Sequence, residues 1–171
     1  MREELNLDRT VQILKKVLAS DQDYIALHEP SFNGNEWTYI KKCLDSGWVS
    51  SAGQYVELFE QKLAEFVGVK HAAAVVNGTS ALHLALKIVG VGAEDEVLIP
   101  ALTFVATANA VSYCGAVPHF VDNEERTLGL DPEKLCIYLD GIADLKPEGC
   151  CNKITGRRIK AFLDIGPFIA I

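Results

Sequence analysis

A chain of 171 residues with 49% hydrophobic content has enough length for one domain with a substantial core, and is too apolar to be disordered. Its net charge of -7, without a basic stripe, argues against nucleic acid, whose binding depends on neutralising phosphates. No apolar run reaches the length of a membrane span, and the polar stretch from Met1 to Asp8 lacks the apolar centre of a secretory signal. Cys43, Cys114, Cys136, Cys150 and Cys151 form no CxxC spacing, so reduced thiols in a cytoplasmic protein are expected. The Cys150-Cys151 pair reads either as redox-active or as part of a polar loop.

From about Asp8 to Ala19, Leu7, Val11, Leu14, Val17 and Leu18 share one face with Lys15 and Lys16 opposite. This predicts an amphipathic helix that packs on the main body or on a partner chain. His28 to Glu36 reads as an extended segment and loop. A helix then begins at Asn35, keeps its period through Trp37, Ile40, Lys41 and Leu44, and ends at Asp45-Ser46-Gly47. In the loop Trp48-Val49-Ser50-Ser51-Ala52-Gly53, the Trp either walls a ligand pocket or plugs a gap between helices. The next helix, from about Gly53 to Phe66, has Val56, Phe59, Leu63 and Phe66 as its expected buried stripe, and Gly68 stops it.

His71 leads into an apolar run, Ala72 to Val76, that reads as a buried central strand broken by Asn77-Gly78. Thr79 and Ser80 then open a helix with Leu82, Leu86 and Val89 in period. The first turn of such a helix has unpaired N–H groups and a dipole that favours negative charge. Gly78 leaves room for a phosphate, and the two hydroxyls add donors. The plainer reading is that Asn77 or Thr79 merely caps the helix.

Glu96 to Pro100 is a second short strand. Ala101 to Val111 starts another strand-to-helix junction, ended by Gly115, and Val117 to Asp122 is a third strand. Asp131-Pro132 opens a helix that runs through Tyr138 to about Leu139. Lys146 to Gly156 reads as a polar hairpin-like loop, and Ile159 to Leu163 as a fourth strand. Strands alternating with helices predict an α/β fold with a mostly parallel sheet and helices on both faces. In such sheets ligands bind beyond the carboxyl ends of the strands. The ends at Asn77–Ser80 and Pro100–Phe104 offer an anion seat and an aromatic ring. A phosphorylated, flat, aromatic cofactor fits both.

Gly47-Trp48-Val49-Ser50-Ser51-x-Gly53, Phe59-Glu60, Asn77-Gly78-Thr79-Ser80-Ala81-Leu82, Pro100-x-x-Thr103-Phe104-Val105-Ala106-Thr107-x-Asn109 and Asp131-Pro132 occur in this order. Together they resemble the DegT/DnrJ/EryC1/StrS family, pyridoxal 5'-phosphate-dependent aminotransferases of nucleotide-linked keto sugars. The resemblance runs from about Leu27 to Leu163, and the wording around Trp48 looks most like the legionaminic-acid-type subgroup. It implies the N-terminal part of the fold-type-I large domain in residues 27–171, preceded by a helical extension in residues 1–26. It also implies that Gly78, Thr79 and Ser80 hold the cofactor phosphate and that Phe104 stacks on the pyridine ring. Trp48, Ser50 and Ser51 would border the sugar-nucleotide pocket, while Thr107 and Asn109 support a helix start. The implied function is amino transfer, with glutamate as donor, to a 4-keto-6-deoxy nucleotide sugar for surface-polysaccharide biosynthesis, in a homodimer.

The family's Schiff-base lysine and the carboxylate paired with the pyridine nitrogen lie downstream of the matched motifs, so no catalytic residue is assigned here. None of Lys87, Lys134, Lys146, Lys153 or Lys160 has the right context, and Asp164 lacks the flanking residues of the carboxylate motif. The text after Leu163 departs from the family pattern. The expectation is a reading frame truncated near residue 164, which sequencing the downstream DNA would test. Two other functions compete: an inactive remnant that binds a phosphate-bearing ligand or pairs with a full-length relative, and a generic nucleotide-binding domain. The latter is weakened because neither GxGxxG nor GxxxxGK[ST] is present.

Overall fold

The computed structural model describes residues 6–18, 24, 26, 29–147 and 149–165. The expected helix end at Ala19, the boundary between residues 26 and 27, the loop start at His28 and the divergent text from Gly166 onward lie outside them. The chain divides into two compact units, Met1–Gly47 and Trp48–Ile171.

Among the described residues the first unit contains two helices, α1 (Leu7–Leu18) and α2 (Glu36–Ser46), close to the spans that apolar periodicity predicts. Gly47 ends α2 with φ 74°, a left-handed conformation that costs little only for glycine, and its N–H closes on Leu44 O. Neither helix buries a residue, so Leu7, Val17, Trp37 and Leu44 remain exposed.

The second unit holds α3 (Gln54–Val67), α4 (Gly78–Ile88), β1 (Glu96–Pro100), α5 (Val105–Tyr113), β2 (Val117–Val121), α6 (Pro132–Ile142), β3 (Ala143–Lys146), β4 (Gly149–Asn152) and β5 (Ile159–Phe162). The main sheet has the order β2-β1-β5, with both pairings parallel. Central β1 is buried along its whole length. Alternation along it sends Val97 and Ile99 to one face. There they pack with Leu86 of α4, Ala110 and Val111 of α5, and Val91, Cys114 and Ala116. On the other face Glu96 bonds to His119 of β2, and His119 in turn meets Tyr138 of α6. Helices therefore flank the sheet on both sides, as expected. The predicted hairpin-like loop holds β4, which pairs antiparallel with β3 just before it, and α6 runs three residues past its predicted end at Leu139.

Two expectations fail. Residues 72–76 form no strand. They pair with neither outer edge of the sheet, at β2 or at β5, so their N–H and C=O groups are not held in a ladder. The Ala74 N–H instead donates to Glu60 Oε1 of α3 at 2.8 Å, and Val76 stays 88% exposed. Nor is the α3 stripe buried: Phe59, Leu63 and Phe66 are exposed and line a surface depression with Lys62 and Glu65. Helical period marks which side chains share a face; it does not supply the surface that covers them.

Candidate functional site

Because β1, β2 and β5 are parallel, the segments that follow them gather at one edge of the sheet. Three hydrogen bonds tie these segments together. Leu102 N–H donates to Asn123 Oδ1 at 2.8 Å, Thr103 Oγ1 donates to Ile165 O at 2.6 Å, and Leu130 N–H donates to Asp164 Oδ1 at 3.1 Å. Asp164, considered above as a cofactor partner, thus holds backbone.

Asn77 precedes α4 in an extended conformation and caps it, its Oδ1 accepting the Ser80 N–H at 2.8 Å. Ala81 N–H closes on Asn77 O. The N–H groups of Gly78 and Thr79, and the hydroxyls of Thr79 and Ser80, have no hydrogen-bond partner among the described residues. No acidic residue stands in this turn. An added Cβ at Gly78 meets no atom within 4 Å, so the turn is open to an approaching group. Two free amides and two free hydroxyls at a helix N-terminus form a donor set suited to a phosphate. Capping and an anion seat coexist here. The cap takes the Ser80 amide and leaves the preceding pair.

Phe104 is the N-cap residue of α5, the helix that packs with α4 in the core. The residue is 57% exposed, and its ring makes no aromatic contact among the described residues. Thr103 Oγ1 lies 3.0 Å from Thr107 Oγ1, and Thr107 N–H closes on Phe104 O, so buried Thr107 supports the helix start as expected. Asn109 sits exposed in mid-helix. Trp48, Ser50 and Ser51 are also exposed, and Ser50 Oγ accepts the Ala52 N–H at 3.5 Å. Among the described residues, no hydrogen bond or ring contact joins these three to Phe104 or to the α4 turn. Of the lysines named above, Lys134 pairs with Asp122 and Lys146 with Asp144.

At the opposite end of β1 lies a cluster that the sequence reading missed. Glu96 is 1% exposed and its Oε2 meets Asn152 Nδ2 at 2.9 Å and His119 Nδ1 at 3.0 Å. Oε1 accepts from Thr155 Oγ1 at 2.6 Å. Burial pushes the carboxyl up, but the bonds from Thr155, Asn152 and His119 outweigh it and hold the pKa below its ordinary value of 4.5. Next to it, burial likewise raises Asp95, and the Arg158 hydrogen bonds overcome this to leave it lowered. A Glu in the apolar run Glu-Val-Leu-Ile-Pro was the available signal. This end joins β1 to β2 and to the segment after β4; it lies away from the carboxyl edge.

The sequence profile of the DegT/DnrJ/EryC1/StrS aminotransferase family matches residues 30–138. The chain belongs to this family. A GDP-perosamine synthase of Caulobacter vibrioides is 50% identical over 116 residues, 68% of this chain and 31% of that protein. The solved DegT DnrJ EryC1 StrS aminotransferase of Brucella abortus superposes with a TM-score of 0.60 at 32% identity, covering 74% of this chain and 31% of its own. A chain described as a sugar aminotransferase, Spr1654 of Streptococcus pneumoniae in its PLP form, matches with a TM-score of 0.58 at 30% identity over 65% of this chain and 28% of its own. The matched segments of 104 to 116 residues therefore cover only 29–31% of the curated relatives' length. The sheet and its flanking helices are part of the fold-type-I aminotransferase architecture.

Proposed function

We propose that the chain serves a pyridoxal 5'-phosphate-dependent aminotransferase acting on a 4-keto-6-deoxy nucleotide sugar, in amino-sugar and surface-polysaccharide biosynthesis. One observation carries this reading: the first turn of α4 keeps two amides and two hydroxyls free at an acid-free helix start. Gly78, Thr79 and Ser80 hold the phosphate, Ser80 through its hydroxyl alone. Phe104 lays its exposed ring against the pyridine. Trp48, Ser50 and Ser51 border the sugar nucleotide. The cofactor supplies an electron sink for amino transfer when bound. No lysine of this chain is assigned to the Schiff base.

The relatives named GDP-perosamine synthase make a GDP-linked sugar the first substrate to test. Glutamate as amino donor, a homodimer and a cytoplasmic setting complete the proposal, the last supported by the five free cysteines. The family match beginning at residue 30 supports a large domain starting near residue 27, after a helical extension. A second reading, an inactive chain that binds a phosphate-bearing ligand or pairs with a relative, is favoured by exposed Phe66 and Val76.

The test is equilibrium dialysis of pyridoxal 5'-phosphate against unphosphorylated pyridoxal. The phosphate form is expected to bind preferentially. Thr79→Ala and Ser80→Ala each weaken it about tenfold, the worth of one hydrogen bond to a charged group. Equal binding of both compounds, or variants that bind like the parent, would refute the phosphate seat.

A further inference from the structure

The β1–β2 ladder ends with Ala101 N–H donating to Val121 O at 2.9 Å. One residue further, a side chain takes over from the backbone. Asn123 Oδ1 accepts the Leu102 N–H at 2.8 Å, and its Nδ2 donates back to Leu102 O at 3.3 Å and to Leu128 O at 2.7 Å. The Asn123 amide thereby acts as a peptide unit, adding a rung beyond the strand and tying the Leu102 segment to the turn at Leu128. That turn has its own constraint, since Leu128 adopts φ 61°, a conformation rare for a non-glycine residue. From the β5 side, Thr103 Oγ1 reaches Ile165 O. Residues 102 and 103 are therefore pinned from both neighbouring strands, and Phe104 follows directly with φ -71° and ψ 141°. Its ring has no aromatic neighbour among the described residues, and the residue is 57% exposed.

The geometry points to Asn123 as a positioning residue: its side-chain amide locks the Leu102 backbone and so aims the Phe104 ring at the carboxyl edge of the sheet. This rests on the proposed role of Phe104 as the face on which a cofactor ring lies. The chemistry is specific to an amide. A carboxylate at this place keeps an acceptor for Leu102 N–H but turns oxygen toward two carbonyls, Leu102 O and Leu128 O. An isosteric leucine offers neither donor nor acceptor. Both backbone groups of Leu102 then compete with water, and the segment loosens.

The experiment uses the 171-residue chain with Asn123→Leu and Asn123→Asp, each also combined with Phe104→Ala. Amide exchange at Leu102 reports the clamp without any cofactor. It is expected to rise about tenfold or more in Asn123→Leu while exchange at Val97 and Leu98 inside β1 is unchanged. If Asn123→Leu unfolds the sheet, Asn123→Asp, which keeps the Leu102 acceptor and loses only the two bonds donated to Leu102 O and Leu128 O, supplies the affinity comparison below in its place. Pyridoxal 5'-phosphate affinity should fall about fivefold on removing the amide, and by less than about twofold when Phe104 is already alanine. Unchanged Leu102 exchange in a folded Asn123→Leu overturns the clamp. Equal affinity losses with and without the Phe104 ring overturn its action through that ring. If Phe104→Ala alone leaves affinity intact, the stacking assignment of Phe104 falls, and the positioning role falls with it.

Discussion

Replacing Glu96 tests whether the buried cluster at the start of β1 holds the sheet together. The carboxylate accepts three side-chain hydrogen bonds, from Asn152, His119 and Thr155, and is 1% exposed. Glu96→Gln keeps the volume but offers one acceptor oxygen and an NH2 group. That NH2 faces a donor that accepted nothing from the original side chain. Bonds to an ionised acceptor are about twice as strong as neutral ones, so the exchange should cost about 1–2 kcal/mol near neutral pH. Glu96→Ala also leaves the buried Asn152 amide unpaired and opens a cavity, for a loss of about 3–5 kcal/mol. Urea denaturation from pH 7 down to pH 3 measures both.

The pH dependence follows from the lowered pKa of Glu96. Its folded value lies below its unfolded one, so the carboxylate stabilises the fold above about pH 4.5, and that contribution fades as pH falls through the lower folded value. The difference between parent and Glu96→Gln should therefore shrink in acid, because a protonated Glu offers the same neutral bonds as Gln. A difference of zero at pH 7, or one constant down to pH 3, would refute this account.

Two further substitutions separate site from scaffold. Gly78→Ala places a methyl where no atom lies within 4 Å, in a helix where alanine is favoured. Thermal stability should hold or rise slightly, while the added methyl crowds a phosphate at the turn and pyridoxal 5'-phosphate affinity drops about fivefold in dialysis; equal affinity would show that no ligand closes on the Gly78 backbone. Leu86→Ala, at a 1% exposed position packed on Val97 and Ile99, should cost about 3 kcal/mol in urea, against less than about 0.5 kcal/mol for Phe66→Ala at a 90% exposed one. A large Phe66→Ala effect would mean that the α3 face is covered in solution.

Local pattern alone determined much of this protein. The Glu96–Pro100 and Val117–Val121 strands, the helix that opens at Asn77-Gly78, and the Asp131-Pro132 helix start all follow from apolar period, capping chemistry and turn residues. These properties are carried by residues a few positions apart. The phosphate-type donor set was legible for the same reason, since Gly78, Thr79 and Ser80 are neighbours in one turn. Tertiary structure decided what depends on partners. Residues 72–76 have the composition of a strand but join neither outer edge of the sheet, and the α3 stripe stays exposed among the described residues. Glu96 meets Asn152 and Thr155 across 56 and 59 positions, and Asn123 reaches Leu102 across 21. Period and propensity describe a residue's own segment. A hydrogen bond between distant segments exists only once chain crossings have brought them together, so the clamp at the carboxyl edge and the buried carboxylate at the other end appear only in three dimensions.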